Sequence, residues 1–142
     1  MTPNHKGAIG EIAVTKELMQ QGFDVYAAVG HASKIDLVCI GSDAKPKRIQ
    51  VKYSVTSKEV AVLYLRKNCL DPKYTYHYSR SDVDVFALYV ADKDTVVFIS
   101  SSELFAEKDQ LKEASFRFAP PNNNQTKGCR MASDYLTFPT DA

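Results

Sequence analysis

A chain of 142 residues with 44% hydrophobic and 25% charged content has the size and balance of one ordinary globular domain, which excludes a disordered or fibrous protein. Its apolar runs span only a few residues against the roughly 20 a membrane-crossing helix needs, and no apolar segment follows a basic start, so a cytoplasmic protein without a membrane partner is expected. The formal net charge is +1, yet residues 1–80 hold 12 Lys/Arg against 7 Asp/Glu and residues 81–142 hold 6 against 10, an asymmetry that suits a nucleic-acid surface and scattered solvated charges equally.

In chain order, Lys6 to Gln21 reads as one helix closed by Gly22. Phe23 to Ala28, Ile35 to Ile40 and Arg48 to Ser54 are β-rich runs, parted by the turn-formers Gly30-His31-Ala32-Ser33 and by Gly41-Ser42-Asp43 through Lys45-Pro46. Val60 to Leu65 is a further apolar run, Val83 to Val90 suits a buried strand, and Thr95 to Ile99 completes a hairpin across Asp92-Lys93-Asp94. A second helix is expected from Ser101 or Ser102, whose hydroxyls can cap it, with Glu103 in its first turn. Pro120-Pro121-Asn122-Asn123-Asn124-Gln125 opens a C-terminal arm, residues 120–142, on a single domain of residues 1–142. The order implies an α/β fold whose mixed sheet has the first helix on one face and the later helix on the other.

Cys39, Cys69 and Cys129 are odd in number and widely spaced, which suggests reduced packing residues and neither a disulfide framework nor a zinc site. His31 and His77 lack a second ligand at useful spacing, and no G-x-S-x-G, P-loop, H-E-x-x-H or dinucleotide glycine pattern is present.

At 100° per residue from Ile9, the apolar residues Val14, Leu18, Ala8, Met19 and Ile12 occupy an arc from about 140° to about 300°, with Glu11 inside it near 200°. An inward carboxylate needs a partner, and a salt bridge to the sheet or a bound cation would each supply one. Asp36 interrupts the apolar run Ile35 to Ile40, and in Ile49-Gln50-Val51-Lys52 a period of two puts Gln50 and Lys52 on one face. Were those runs neighbours, Asp36, the Gln50 amide oxygen, the Val51 backbone carbonyl and Glu11 would offer oxygens to a hard cation such as Mg²⁺. Such a cation acidifies water and neutralises phosphate, while Lys52 can orient or deprotonate the attacking water or donate to the transition state.

The ordered set Gly7-Ala8-Ile9-Gly10-Glu11, Ile35-Asp36-Leu37-Val38 and Ile49-Gln50-Val51-Lys52 resembles the PD-(D/E)xK nuclease superfamily. The resemblance implies an αβββαβ core, DNA cleavage with Mg²⁺ (or Mn²⁺ in its place), metal ligation by Glu11, Asp36 and the Gln50 position, and a catalytic Lys52. Ile35 stands where the eponymous proline would be, and Gln50 replaces the second acid, which removes one negative charge and should favour a single tightly held ion. Ser81 to Val90, Val97-Phe98-Ile99 and the stretch from Pro120 to Leu136 resemble the small homing endonucleases of group I introns, whose likeness implies assembly as a homodimer or homotetramer on double-stranded DNA. A resolvase-like or restriction-like nuclease and a catalytically silent DNA-binding module of the same fold are the alternatives, Gln50 being the support for the last.

Residues that suit contact with DNA phosphates or grooves are Ser33 and Lys34 before Asp36, and Lys47, Arg48, Lys58, Arg66, Lys67, Lys73 and Arg80 around the central strands. Tyr64, Tyr74, Tyr76 and Tyr78 interleave with them and suit an interface between subunits equally well.

Overall fold

Thr2 and Pro3 start the first element earlier than the apolar pattern suggests. The Thr2 hydroxyl accepts from the His5 backbone N–H at 3.2 Å, and Pro3 occupies the first helical position, where its missing donor costs nothing. The computed structural model describes residues 1–30, 33–70, 72–123 and 128–142; His31, Ala32, Asn124 and Gln125 of the expected turns lie outside them. Helix α1 runs Pro3–Gln20, and Gly22, with φ +93°, lets the chain turn away into the sheet.

Strands β1 (Asp24–Ala27), β2 (Leu37–Ile40) and β3 (Pro46–Ser54) form an antiparallel meander. β4 (Val60–Tyr64), β5 (Arg66–Leu70) and β6 (Lys73–His77) follow, then β7 (Val85–Val90) and β8 (Thr95–Ser100), a one-turn helix α2 (Ser101–Leu104) and β9 (Glu113–Arg117). The central sheet has the order β1-β2-β3-β7-β8, with β3 and β7 parallel and the other pairs antiparallel. This is the expected mixed α/β architecture. The crossover from β3 to β7 is made of strands: β5 and β6 pair as a separate ribbon, and β4 pairs with β9.

Period-two alternation splits the sheet into two cores. Leu37, Cys39, Ile49, Val51, Val85, Ala87 and Phe98 face α1 and meet Val14 and Leu18. Phe86, Leu88, Val90, Val97 and Ile99 face the other way, onto Ala61, Leu63, Ala114 and Phe116 of the β4–β9 pair. That second face was expected to carry a helix. α2 is only one turn, capped by Ser100 rather than Ser101 or Ser102, and the β4–β9 layer does the covering.

The helix also corrects the expected arc. Its buried stripe is Gly10, Val14 and Leu18, centred near 140°, while Ile12 and Met19 are 69% and 63% exposed. Gly10 sets the approach: a Cβ there would lie 3.4 Å from Val51 Cγ1 and 3.9 Å from the Lys52 carbonyl oxygen, so α1 rests directly on that part of β3. The C-terminal segment, read as an arm, is stitched into the body. Arg117 N–H donates to the Arg130 carbonyl, Ala132 is buried in the second core, and Phe138 is buried in the first against Phe23 and Phe98.

Candidate active site

The site forms where two strands part. β2 pairs with β3 only as far as Leu37 opposite Ile49, whereas β3 continues to Ser54 along β7. Beyond Ile49, the edge of β3 that faced β2 has lost its ladder partner, and such backbone groups need replacements. Asp36 supplies them. Its N–H donates to the Ile49 carbonyl at 2.9 Å, and its carboxylate accepts from the Val51 N–H at 2.8 Å. Since the N–H and C=O of one strand residue point to the same side, the Val51 carbonyl also faces the gap.

The same Asp36 oxygen accepts from the Gln50 amide nitrogen at 2.8 Å. Gln50 is only 7% exposed, and its amide oxygen is buried with no hydrogen-bond partner among the described residues. A buried orphan acceptor costs roughly 1–3 kcal/mol unless something fills it, and a hard cation would do so. With the Asp36 carboxylate and the Val51 carbonyl beside it, this donor set fits a divalent ion. It is a mixed set, because among the described residues no three His, Cys, Asp or Glu side chains cluster to hold a metal.

Lys52, two residues on from Gln50, is half-buried on the same face. Burial pulls its ammonium below the ordinary lysine range and Lys67 adds to this, while Asp36 works in the opposite direction. Its Nζ lies 3.5 Å from the Tyr78 hydroxyl and 4.9 Å from the centre of that ring. The cleft around Asp36, Gln50 and Lys52 has a volume of about 370 Å³ and is walled by Ser33, Lys34, Arg66 and Lys67, all named by the sequence as DNA contacts. Opposed residues of an antiparallel pair share a face, so Lys67 with Tyr76 and Cys69 with Tyr74 turn one side of the β5–β6 ribbon toward the cleft.

Lys34 lies 3.9 Å from the centre of the Tyr76 ring, donates to that residue's hydroxyl and pairs with Asp82 at 3.4 Å; the Tyr76 hydroxyl donates to Asp82 at 2.7 Å. Burial would raise the Asp82 carboxyl, but the Ser79 N–H, the Tyr76 hydroxyl and Lys34 together hold it below the usual carboxylate range. Arg48 spans Asp84 with its backbone N–H and guanidinium, which overcome burial and hold that carboxyl low as well. Asp82 and Asp84, missed in the sequence, were signalled by the alternation Asp82-Val83-Asp84 entering a buried strand.

Other expected residues lie elsewhere. Lys47 is on the α1 side of β3, where it donates to the Ala142 carbonyl, and Lys58 sits in a left-handed turn with φ 51° before β4. Lys73 begins β6 at the far end of the ribbon and Arg80 is exposed beyond it. Glu11 is on α1, across the sheet from Gln50 and Lys52. It lines an apolar concavity with Ile12, Met19, Ala27 and Leu37, one residue from the Gly10 contact with Val51 and one residue from Asp36 through Leu37. Its concavity is on the α1 side of the sheet, with Leu37, the neighbour of Asp36, in its wall.

A solved structure of a bacterial homing endonuclease, I-Ssp6803I, is similar to this chain at 18% identity with a TM-score of 0.73, covering 95% of this chain and 88% of that one. Among curated proteins the sequence finds no match. The family model for PD-(D/E)XK endonucleases matches residues 1–138. With that match spanning nearly the whole sequence, the chain belongs to the PD-(D/E)XK endonuclease family.

Proposed function

We propose that this nuclease is a divalent-cation-dependent endonuclease of double-stranded DNA, specific for a long target as homing enzymes are, with Mg²⁺ as its ion and Mn²⁺ able to replace it. The observation that carries the reading is the meeting of Asp36, Gln50, Val51 and Lys52 at the parting of β2 and β3. Asp36, the Gln50 amide oxygen, the Val51 carbonyl and Glu11 would hold the ion. Bound there, it would acidify a water and offset charge on the scissile phosphate.

The remaining chemistry belongs to the chain. Lys52 Nζ sets a donor against the phosphate oxygens, where negative charge grows as the phosphodiester opens. Its lowered proton affinity also eases proton movement between Nζ and the attacking water. The Asp36 carboxylate, gripped by the Val51 N–H and the Gln50 amide, stays aimed without rearrangement at the moment of reaction. Ser33, Lys34, Arg66 and Lys67 receive the DNA backbone at the mouth, and the ribbon enters a groove. One cleft per chain cuts one strand, so two clefts related by a dyad, in a homodimer or homotetramer, suit duplex cleavage. The setting is the cytoplasm; among the described residues no helix is long and apolar enough to cross a membrane.

A plasmid library with randomised inserts, incubated with the protein and Mg²⁺, tests this. Cleavage of a rare subset, recovered by sequencing the ends, is expected from the wild type and is lost in Asp36→Ala. Uniform cutting of four-way junctions instead of a rare duplex would make the protein a resolvase, and cleavage surviving Asp36→Ala would overturn the site.

A further inference from the structure

Tyr78 follows β6, and its N–H donates to the Leu65 carbonyl at 2.9 Å, which turns the base of the ribbon back onto the sheet. Its ring is 4% exposed and lies edge-on to Phe86, with centroids 5.7 Å apart, and to Tyr76 at 5.4 Å. A phenylalanine would satisfy that packing equally well. The hydroxyl has another use: its oxygen is turned to Lys52 Nζ at the outer limit of a hydrogen bond, 3.5 Å, while the ring centre is 4.9 Å from the same ammonium, inside cation–π range. A lysine head on a flexible four-carbon stem is placed only by what holds its end.

We propose that Tyr78 is a positioning residue for strand cleavage, its ring and hydroxyl together holding the Lys52 ammonium on the cleft floor opposite Asp36. The inference rests on the reading of Lys52 as part of the catalytic set. It gives the ribbon a second task, because the strand that carries Tyr76 to the mouth of the cleft leads directly into the residue that aims the lysine.

The test uses the full chain, Mg²⁺ and a labelled duplex of the cleaved sequence recovered from the library. Tyr78→Phe keeps the ring and loses the hydroxyl; its single-turnover rate is expected to fall about tenfold, and that of Tyr78→Leu on the order of 100-fold, the scale of a misplaced catalytic group. DNA affinity measured in Ca²⁺ and the melting temperature of Tyr78→Phe should stay at wild-type values, and Phe should recover most of the rate lost with Leu. A wild-type rate in Tyr78→Phe overturns the proposal. A rate loss matched by weaker DNA binding or a lower melting temperature overturns it too, by making Tyr78 a packing residue. Lys52→Met separates the two levels. If it is inactive while Tyr78→Phe is unaffected, only the positioning role falls; if it cleaves at full rate, the lysine assignment falls and this inference with it.

Discussion

The two sides of β3 differ in what they ask of the same strand. Ile49 and Val51 are buried against α1 and Phe98, in a core with few polar atoms, whereas Gln50 and Lys52, on the other side, open into a cleft while Phe86 and Leu88 beside them on β7 remain in core. The α1 side is apolar at Ile49 and Val51, with Lys47 near the start of the strand. The cleft side is not uniform, because the cleft opens only along the stretch that β2 no longer covers. Under the proposed function, the parity of one strand thus separates the packed face from the face that carries Gln50 and Lys52, and the point where β2 leaves bounds the cleft.

Substitutions should separate these two sides. Asp36→Ala or Lys52→Ala should lower Mg²⁺-dependent cleavage by at least about 100-fold, with DNA affinity in Ca²⁺ unchanged, as single-turnover rates and binding titrations would read. Phe98→Ala on the opposite side should cost about 3–5 kcal/mol in denaturant unfolding, because a ring that is 1% exposed leaves a cavity between α1 and Phe138. If Phe98→Ala were mild and Lys52→Ala unfolded the protein, the division would be wrong.

Asp84→Ala should cost about 1–2 kcal/mol. It strands the Arg48 backbone N–H, but the ion pair is discounted because the Arg48 side chain is 40% exposed. The pH dependence follows in sign. Asp82 and Asp84 are held below the usual range when folded, so their stabilisation is complete above the unfolded carboxylate value of about 3.9 and is lost as pH falls through their lower folded values. Asp84→Asn should make that acid limb shallower in unfolding curves measured across pH. The smallest effect belongs to the helix: Ile12→Ser, at a 69% exposed position, should change stability by no more than about 0.5 kcal/mol.

The grouping of Asp36, Gln50 and Lys52 in the candidate site was legible because it depends on local periods. The alternation Ile49-Gln50-Val51-Lys52 sorts the strand's two faces, and Asp36 stands out within an apolar run. Other features depended on neighbours that no local pattern reveals. Ile12 and Met19 satisfy the helical pattern, yet they lie toward β1, a four-residue edge strand, and remain exposed. Lys47 looks like its basic neighbours, but parity sends it to the α1 side, where the last residue of the chain accepts its hydrogen bond. The one-turn α2 has the cap expected of a helix, but its continuation is an irregular segment leading to β9, the strand that covers the second face. The Thr2 cap and Pro3 were readable, and reliance on apolar periodicity alone passed over them.

Phe138 completes the core that begins at α1. Its ring lies 4.7 Å from that of Phe23, its N–H is taken by the Gln21 side-chain oxygen, and the Gln21 amide nitrogen donates to the Leu136 carbonyl, so partners more than 100 positions apart meet at one corner. Bringing such distant segments together carries a loop-closure cost before any contact is gained. The hydrophobic seat under the first helix is therefore filled by a segment more than 100 positions away, and its native packing waits on that long-range closure.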